Sequence, residues 1–227
     1  MKVPAPLRAL SRYGREAYER LRLGERSIVL VSNNCWGYEL YQALRREYST
    51  PFVGLYVYPE CYLSLLKAKF PDRLALTGFV TSSRYSEVRP AYPVGVLADG
   101  EELHFLHYRT PEEARLKWTR RIERMRRALD RSDSVLALKM CDRDGCEPRH
   151  LAAFHELPYR TKLSLGVTTS AERQHIAVPR LLDGDGRSVI DGRSLYRKRY
   201  RYFDITEWLI TGSVHHTPAS RALGSIS

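Results

Sequence analysis

Eleven residues near the start of the chain constrain its fold most. Ser27–Val31 is apolar and β-branched, the pattern of a short buried strand. The chain then turns polar with Ser32, Asn33, Asn34 and Cys35. Trp36 and Gly37 lead into Tyr38–Tyr48, where Leu40, Tyr41 and Leu44 recur at helical spacing. Strand, polar turn and helix together place side chains and free backbone N–H groups at the C-terminal edge of a parallel sheet, where α/β proteins build their sites. A cysteine at a helix N-terminus sees positive partial charge, which lowers its pKa. The same residues equally suit a small packing residue, Cys35, beside an asparagine pair that caps the helix.

The rest of the chain alternates in the same way. Strands are expected at 75–80, 94–98, 135–140 and 163–167, and helices at 62–70, 110–129 and 147–154. Asp99-Gly100 reads as a hairpin turn joining 94–98 to the run 101–108. Thr110-Pro111-Glu112-Glu113 is a helix start, with Thr at the N-cap, Pro at N1 and acids in the first turn. This alternation predicts an α/β layered sandwich with a mainly parallel sheet flanked by helices. An amphipathic N-terminal helix (1–24) precedes it, and a β-rich C-terminal extension ends it. The main domain spans 25–210, and 211–227 reads as a flexible tail.

Composition narrows the class. With 227 residues, 43% of them hydrophobic, the chain can bury a core. It has no apolar run of about 18 residues, the length a membrane span needs. It also lacks the apolar centre of a signal peptide, so a cytoplasmic location is expected. Four cysteines without a Cys-x-x-Cys pair make neither a disulfide scaffold nor a zinc site. The net charge of +11, mostly arginine, favours phosphate, carboxylate or nucleic-acid partners. The N-terminal helix, with Leu7, Leu10, Ala17 and Leu21 near one face, is expected to pack on its own domain, with contact to an acidic membrane surface as the alternative.

Several segments carry candidate chemistry. In the 110–129 helix, Ala114, Trp118, Ile122, Met125 and Leu129 form an apolar stripe. Arg120 lies on the outer basic face, and Arg121 sits beside Trp118, where it can point inward. His104 and His107 lie on opposite faces if 101–108 is extended, which keeps them from sharing a metal. His107, at the end of that run, is placed as a general base. Lys139, Asp142 and Asp144 follow the strand 135–138, where acids meet a ligand or a divalent cation. As a strand, Leu195–Phe203 would set Arg197, Arg199 and Arg201 on one face and Tyr196, Tyr200 and Tyr202 on the other.

Taken together, Ser32–Gly37, Thr50–Leu55, His104–Tyr108, Glu112–Ala114, Lys117-Trp118, Arg120-Arg121, Lys139-Met140 and Leu157–Tyr159 resemble the DUF1919 family of bacterial proteins, often labelled exopolysaccharide biosynthesis proteins. The resemblance covers roughly 25–209. The N-terminal helix and the basic tail depart from the family core. The Asn34-Cys35 turn is also similar to the Gly-Asn-Cys-Gln turn of the WcbI-type capsule acetyltransferases, α/β proteins that bind coenzyme A, although this chain reads Ser-Asn-Asn-Cys-Trp. The resemblance implies a transferase acting on cell-surface polysaccharide precursors, with acyl transfer from a coenzyme A-type donor as the reaction and no permanently bound cofactor. Cys35, His107 and Asp142 would then be catalytic. Ser32, Asn33, Asn34, Trp36, His104, Trp118, Arg120, Arg121 and Lys139 would hold a sugar and a phosphate-bearing donor. A glycosyltransferase using a nucleotide-sugar, with Mn or Mg on Asp142 and Asp144, is the alternative. Binding of nucleic acid or another anionic polymer by the arginine rows is a third reading, which the resemblance disfavours.

Overall fold

The structure, a computed structural model, describes residues 5–67, 70–87 and 89–214. Four strands form a parallel sheet in the order β1 (Ile28–Ser32), β5 (Val135–Cys141), β6 (Thr161–Gly166) and β7 (His175–Ala177). Ile28 pairs with Val135 and Ser32 with Lys139, so the C-terminal ends of β1 and β5 lie side by side. Helices cover both faces, which is why β1 reads as an unbroken apolar run. Val29 and Val31 pack towards α3 (Pro59–Lys67), α4 (Pro111–Leu129) and α5 (Pro148–Glu156). Ile28 and Leu30 pack towards α2 (Trp36–Leu44), α6 (Gly192–Arg197) and α7 (Ile205–Thr211).

A second, antiparallel sheet has the order β2 (Leu76–Val80), β3 (Val94–Leu97) and β4 (Glu102–His104). Its β3–β4 turn is the expected Asp99-Gly100, with Gly100 at φ +85°, a conformation glycine adopts without steric cost. Tyr56 exchanges two backbone hydrogen bonds with His104, and Val57 N–H donates to Asn33 O at 2.9 Å. This short extended stretch joins the two sheets beside the end of β1.

The α4 helix forms as its sequence predicts. Thr110 Oγ1 accepts from Glu113 N–H at 3.2 Å, and Ala114, Trp118, Arg121, Ile122 and Met125 are buried.

Two expectations change. Leu195–Phe203 is not a strand but α6 followed by a 3-10 turn at Arg199–Arg201, and beyond β7 the regular structure of the described chain is helical rather than β-rich. Asp191 caps α6 by accepting from Ser194 N–H at 3.0 Å. Leu195, Tyr196, Arg199, Tyr202 and Phe203 are the buried positions, a helical rather than an alternating pattern. The arginines therefore do not form one row. Arg197 bonds Glu39, and Arg199 is buried against Glu19 of α1 (Ala5–Leu23) at 2.8 Å.

The α1 helix packs on its own domain, as expected, but not through the face read from the sequence. Glu19 and Leu23 are buried, whereas Ala17 and Leu21 are exposed. The side chains of Leu7 and Leu10, and the tail beyond residue 214, lie outside the described residues.

Candidate functional site

The C-terminal ends of β1 and β5 bring Asn33, Asn34, Cys35, Lys139, Cys141 and Asp144 into one region. The Lys139 ammonium is fully buried, 3.1 Å from Asn34 Oδ1 and 3.3 Å from Asn33 Oδ1, with the Trp36 ring centroid 5.8 Å away. Among the described residues it has no carboxylate within ion-pair distance. A buried lysine without a paired carboxylate is rare in folded proteins. Asn34 is held from three sides: its Oδ1 also accepts from Trp36 N–H at 3.2 Å, and its Nδ2 donates to Cys141 Sγ at 3.0 Å. Asn33 Nδ2 is buried with no hydrogen-bond partner. Asn34 thus both accepts the first N–H of α2 and, with Asn33, holds a cation, which no local pattern distinguishes.

Asp144 follows β5 in a left-handed conformation, φ +59°, uncommon outside glycine. Its carboxyl is half-buried and has no hydrogen bond or ion pair among the described residues. Burial pushes its pKa up, and the positive charges of Arg143 and Lys139 pull it back. The other acids nearby are committed. Asp142 Oδ2 accepts from Val167 N–H at 2.6 Å and its Oδ1 from Val189 N–H at 2.9 Å. Asp183 pairs with Arg143 at 2.6 Å. Both Asp142 oxygens already accept backbone N–H bonds, so of the expected acid pair Asp144 alone presents a free carboxylate among the described residues. Among the described residues no three His, Cys, Asp or Glu side chains converge as a metal set.

The Cys35 Sγ lies 3.8 Å from Leu55 O. Burial raises its pKa to about 11, and the nearby Asp144 charge adds to the rise against Arg193 and Lys139. Burial thus works against the thiolate expected at the helix start, opposing the positive end of the helix. His107 is not on a strand. It sits exposed in the turn after β4, its backbone N–H bonded to Gly54 O. Among the described residues no hydrogen bond joins Cys35, His107 and Asp142.

The other residues expected at the site separate into two groups. Ser32 takes part in the turn, its Oγ 3.5 Å from Asn34 N. Trp36 and Trp118 are core side chains: Trp36 packs edge-on to Tyr196 at 5.1 Å, and Trp118 donates to Leu74 O. Neither is open to a ligand. Arg121 does point inward, but its guanidinium is spent on Tyr108 and Val53 O. Arg120 is exposed on the outer face of α4. His104 is buried and stacked on Tyr56 at 4.7 Å; burial lowers its pKa, with Glu102 opposing.

Three features escaped the sequence. The first is a cluster of partly exposed tyrosines around His104. Tyr58 stacks on Tyr85 at 4.1 Å and meets Tyr56 edge-on at 5.5 Å. The Tyr56 hydroxyl lies 2.7 Å from that of Tyr92. Val57, between Tyr56 and Tyr58, donates its N–H to Asn33 O, so this cluster borders the site. Two tyrosines alternating along the extended run Thr50–Tyr58 were the available signal. The second is the covering segment 181–192, tied down through Arg143 and Asp142. The third is Gly192, where a Cβ would lie 2.6 Å from Trp36 N and 2.9 Å from Asn34 Oδ1.

The family described as Domain of unknown function (DUF1919) matches residues 7–210. The chain belongs to the DUF1919 family. The match takes in nearly all of α1, so that helix lies inside the family span. A relative from Haemophilus influenzae, described as an uncharacterized protein, is 34% identical over 142 residues. The match covers 63% of this chain and 63% of the relative's length. Among the described residues no helix is long and apolar enough to cross a membrane.

Proposed function

We propose that this DUF1919 protein is a transferase of cell-surface polysaccharide assembly that moves an acyl group onto a sugar hydroxyl, with Asp144 as the base. The observation that carries this reading is the Asp144 carboxyl itself. It is half-buried, without a partner among the described residues and held in a left-handed backbone, while its acidic neighbours are committed to structure. A raised carboxyl pKa moves towards neutrality, where a base both stays ionised and accepts a proton readily. Backbone strain of this kind clusters at functional sites.

The acceptor hydroxyl attacks the carbonyl carbon of a thioester donor of the coenzyme A type as its proton passes to Asp144. The C–S bond then breaks, the thiolate leaves with the electron pair, and Asp144 returns the proton to it. Cys35 stays a protonated thiol and forms no covalent intermediate. Lys139 supplies positive charge beside the negative charge that develops. The partly exposed rings of Tyr58, Tyr56, Tyr85 and Tyr92 offer flat apolar surface to a sugar. The likeness of the Asn34-Cys35 turn to that of capsule acetyltransferases supports the polysaccharide class and the donor.

Calorimetric titration of the full chain with acetyl-coenzyme A, coenzyme A and UDP-glucose, each with and without Mn²⁺, tests the reading. Metal-independent binding of the coenzyme A species, kept in Asp144→Asn while transfer is lost, is the expected result. Manganese-dependent binding of UDP-glucose alone would replace acyl with glycosyl transfer. Binding of no donor would overturn the reading.

A further inference from the structure

A cavity rich in arginine lies at the opposite end of the parallel sheet from Asp144. Its volume is ≈ 330 Å³, and it opens between the chain entering β1 and the C-terminal ends of α2 and α4. Five arginines line it (Arg26, Arg46, Arg124, Arg127 and Arg131) against two glutamates.

The fold accounts for three of them. Backbone carbonyls are left unpaired where helices end, and cationic side chains satisfy them. Arg46 donates to the carbonyls of Arg26 and Gly24, Arg124 to that of Tyr48, and Arg131 to that of Glu25 while pairing with Asp133. Arg26 and Arg127 have no such role. Neither guanidinium makes a hydrogen bond or ion pair among the described residues. The Nε of Arg26 is also closed off from solvent without an acceptor, an arrangement that is costly in an isolated chain.

We propose that this cavity binds a phosphate-bearing anion, with Arg26 and Arg127 as its donors. The guanidinium is a planar fork of N–H groups, and two such residues lining one cavity match the several oxygens of a phosphate group better than a single carboxylate. The volume is at the small end of ligand sites, enough for a phosphate ester carrying one ring. Tyr41, Leu44 and Ile28 supply the apolar wall that such a substituent needs. A soluble phosphate ester and a phospholipid headgroup share this chemistry. The proposal is independent of the reading of Asp144.

Calorimetric titration of the full chain with inorganic pyrophosphate at low ionic strength tests it. One equivalent should bind, and Arg127→Gln, at an exposed position that threatens no packing, should weaken binding about tenfold, the loss of one charge-assisted contact. Arg26→Gln should do the same in protein whose circular dichroism is unchanged. Arg149→Gln, exposed on α5, is the control for general electrostatics and should leave binding intact. Co-flotation with phosphatidylcholine vesicles containing phosphatidic acid separates the two sources. Flotation that Arg127→Gln abolishes puts the phosphate on a lipid, and pyrophosphate binding without flotation puts it on a soluble ester. Absence of both, or equal weakening by Arg149→Gln, would overturn the proposal.

Discussion

Asp144 and Cys35 both sit within reach of the Lys139 charge, and burial drives both towards their protonated forms. The consequences differ. A carboxyl pushed up becomes a usable base, whereas a thiol at about 11 is almost wholly protonated at neutral pH and a poor nucleophile. Alkylation of Cys35 by iodoacetamide at pH 8, followed by peptide mass spectrometry, should therefore run slower than alkylation of a free cysteine. A faster rate would restore Cys35 as a nucleophile. Asp144→Asn keeps a residue type that tolerates the left-handed backbone. It should lower transfer by about 10²- to 10⁴-fold, the contribution of a general base. It should not lower the melting temperature at pH 7, since the ionised carboxyl is unfavourably buried there. The inward course of Arg121 was legible because helical spacing sets it beside Trp118. Which acid of Asp142 and Asp144 is free was not. That is decided by the N–H groups of Val167 and Val189, remote in sequence from Asp142.

At the level of elements, local signals succeeded where a helix or strand carries its own start and its own buried face. Thr110-Pro111 and the Ala114–Met125 stripe define α4 without help from the rest of the chain. Leu195–Phe203 lacks that independence: arginine and tyrosine alternate as in a strand, but the partners of Arg197 and Arg199 are Glu39 on α2 and Glu19 on α1. Tertiary ion pairs overrode the local pattern. The docking of α6 over the Asn34-Cys35 turn hangs on Gly192, where a methyl group would meet the Trp36 backbone nitrogen rather than a movable side chain. Gly192→Ala should cost about 1–3 kcal/mol in urea denaturation, the penalty for overpacking. It should also expose the turn, raising hydrogen exchange at Trp36 N–H. An unchanged midpoint would mean that α6 docks more loosely than this geometry requires.

Across the whole molecule, the parallel sheet places the two charged regions at opposite ends, and α5 buries His155 against one of its faces. Ser164 Oγ lies 2.7 Å from both His155 Nε2 and His175 Nδ1 between α5 and the sheet. Burial lowers the His155 pKa to about 4, helped by the charges of Lys162 and His175, and also lowers that of His104. A histidine whose folded pKa lies below its unfolded value of about 6.5 binds its proton more readily in the unfolded chain. Stability is therefore full above about pH 6.5 and falls as the pH drops towards 4. For His155, only 4% exposed, the loss across that window is about 3 kcal/mol. Asp144 acts with the opposite sign: its raised pKa returns some stability as the pH falls towards its ordinary value. The carboxylates held low, Glu39, Asp183 and Asp191, lose their contribution only at still lower pH. Denaturation curves between pH 7 and 4 should show a monotonic fall for the wild type. His155→Gln should start less stable at pH 7 and lose less over the same range. Parallel slopes for the two proteins would show that His155 takes up its proton in the folded state and that acid lability arises elsewhere.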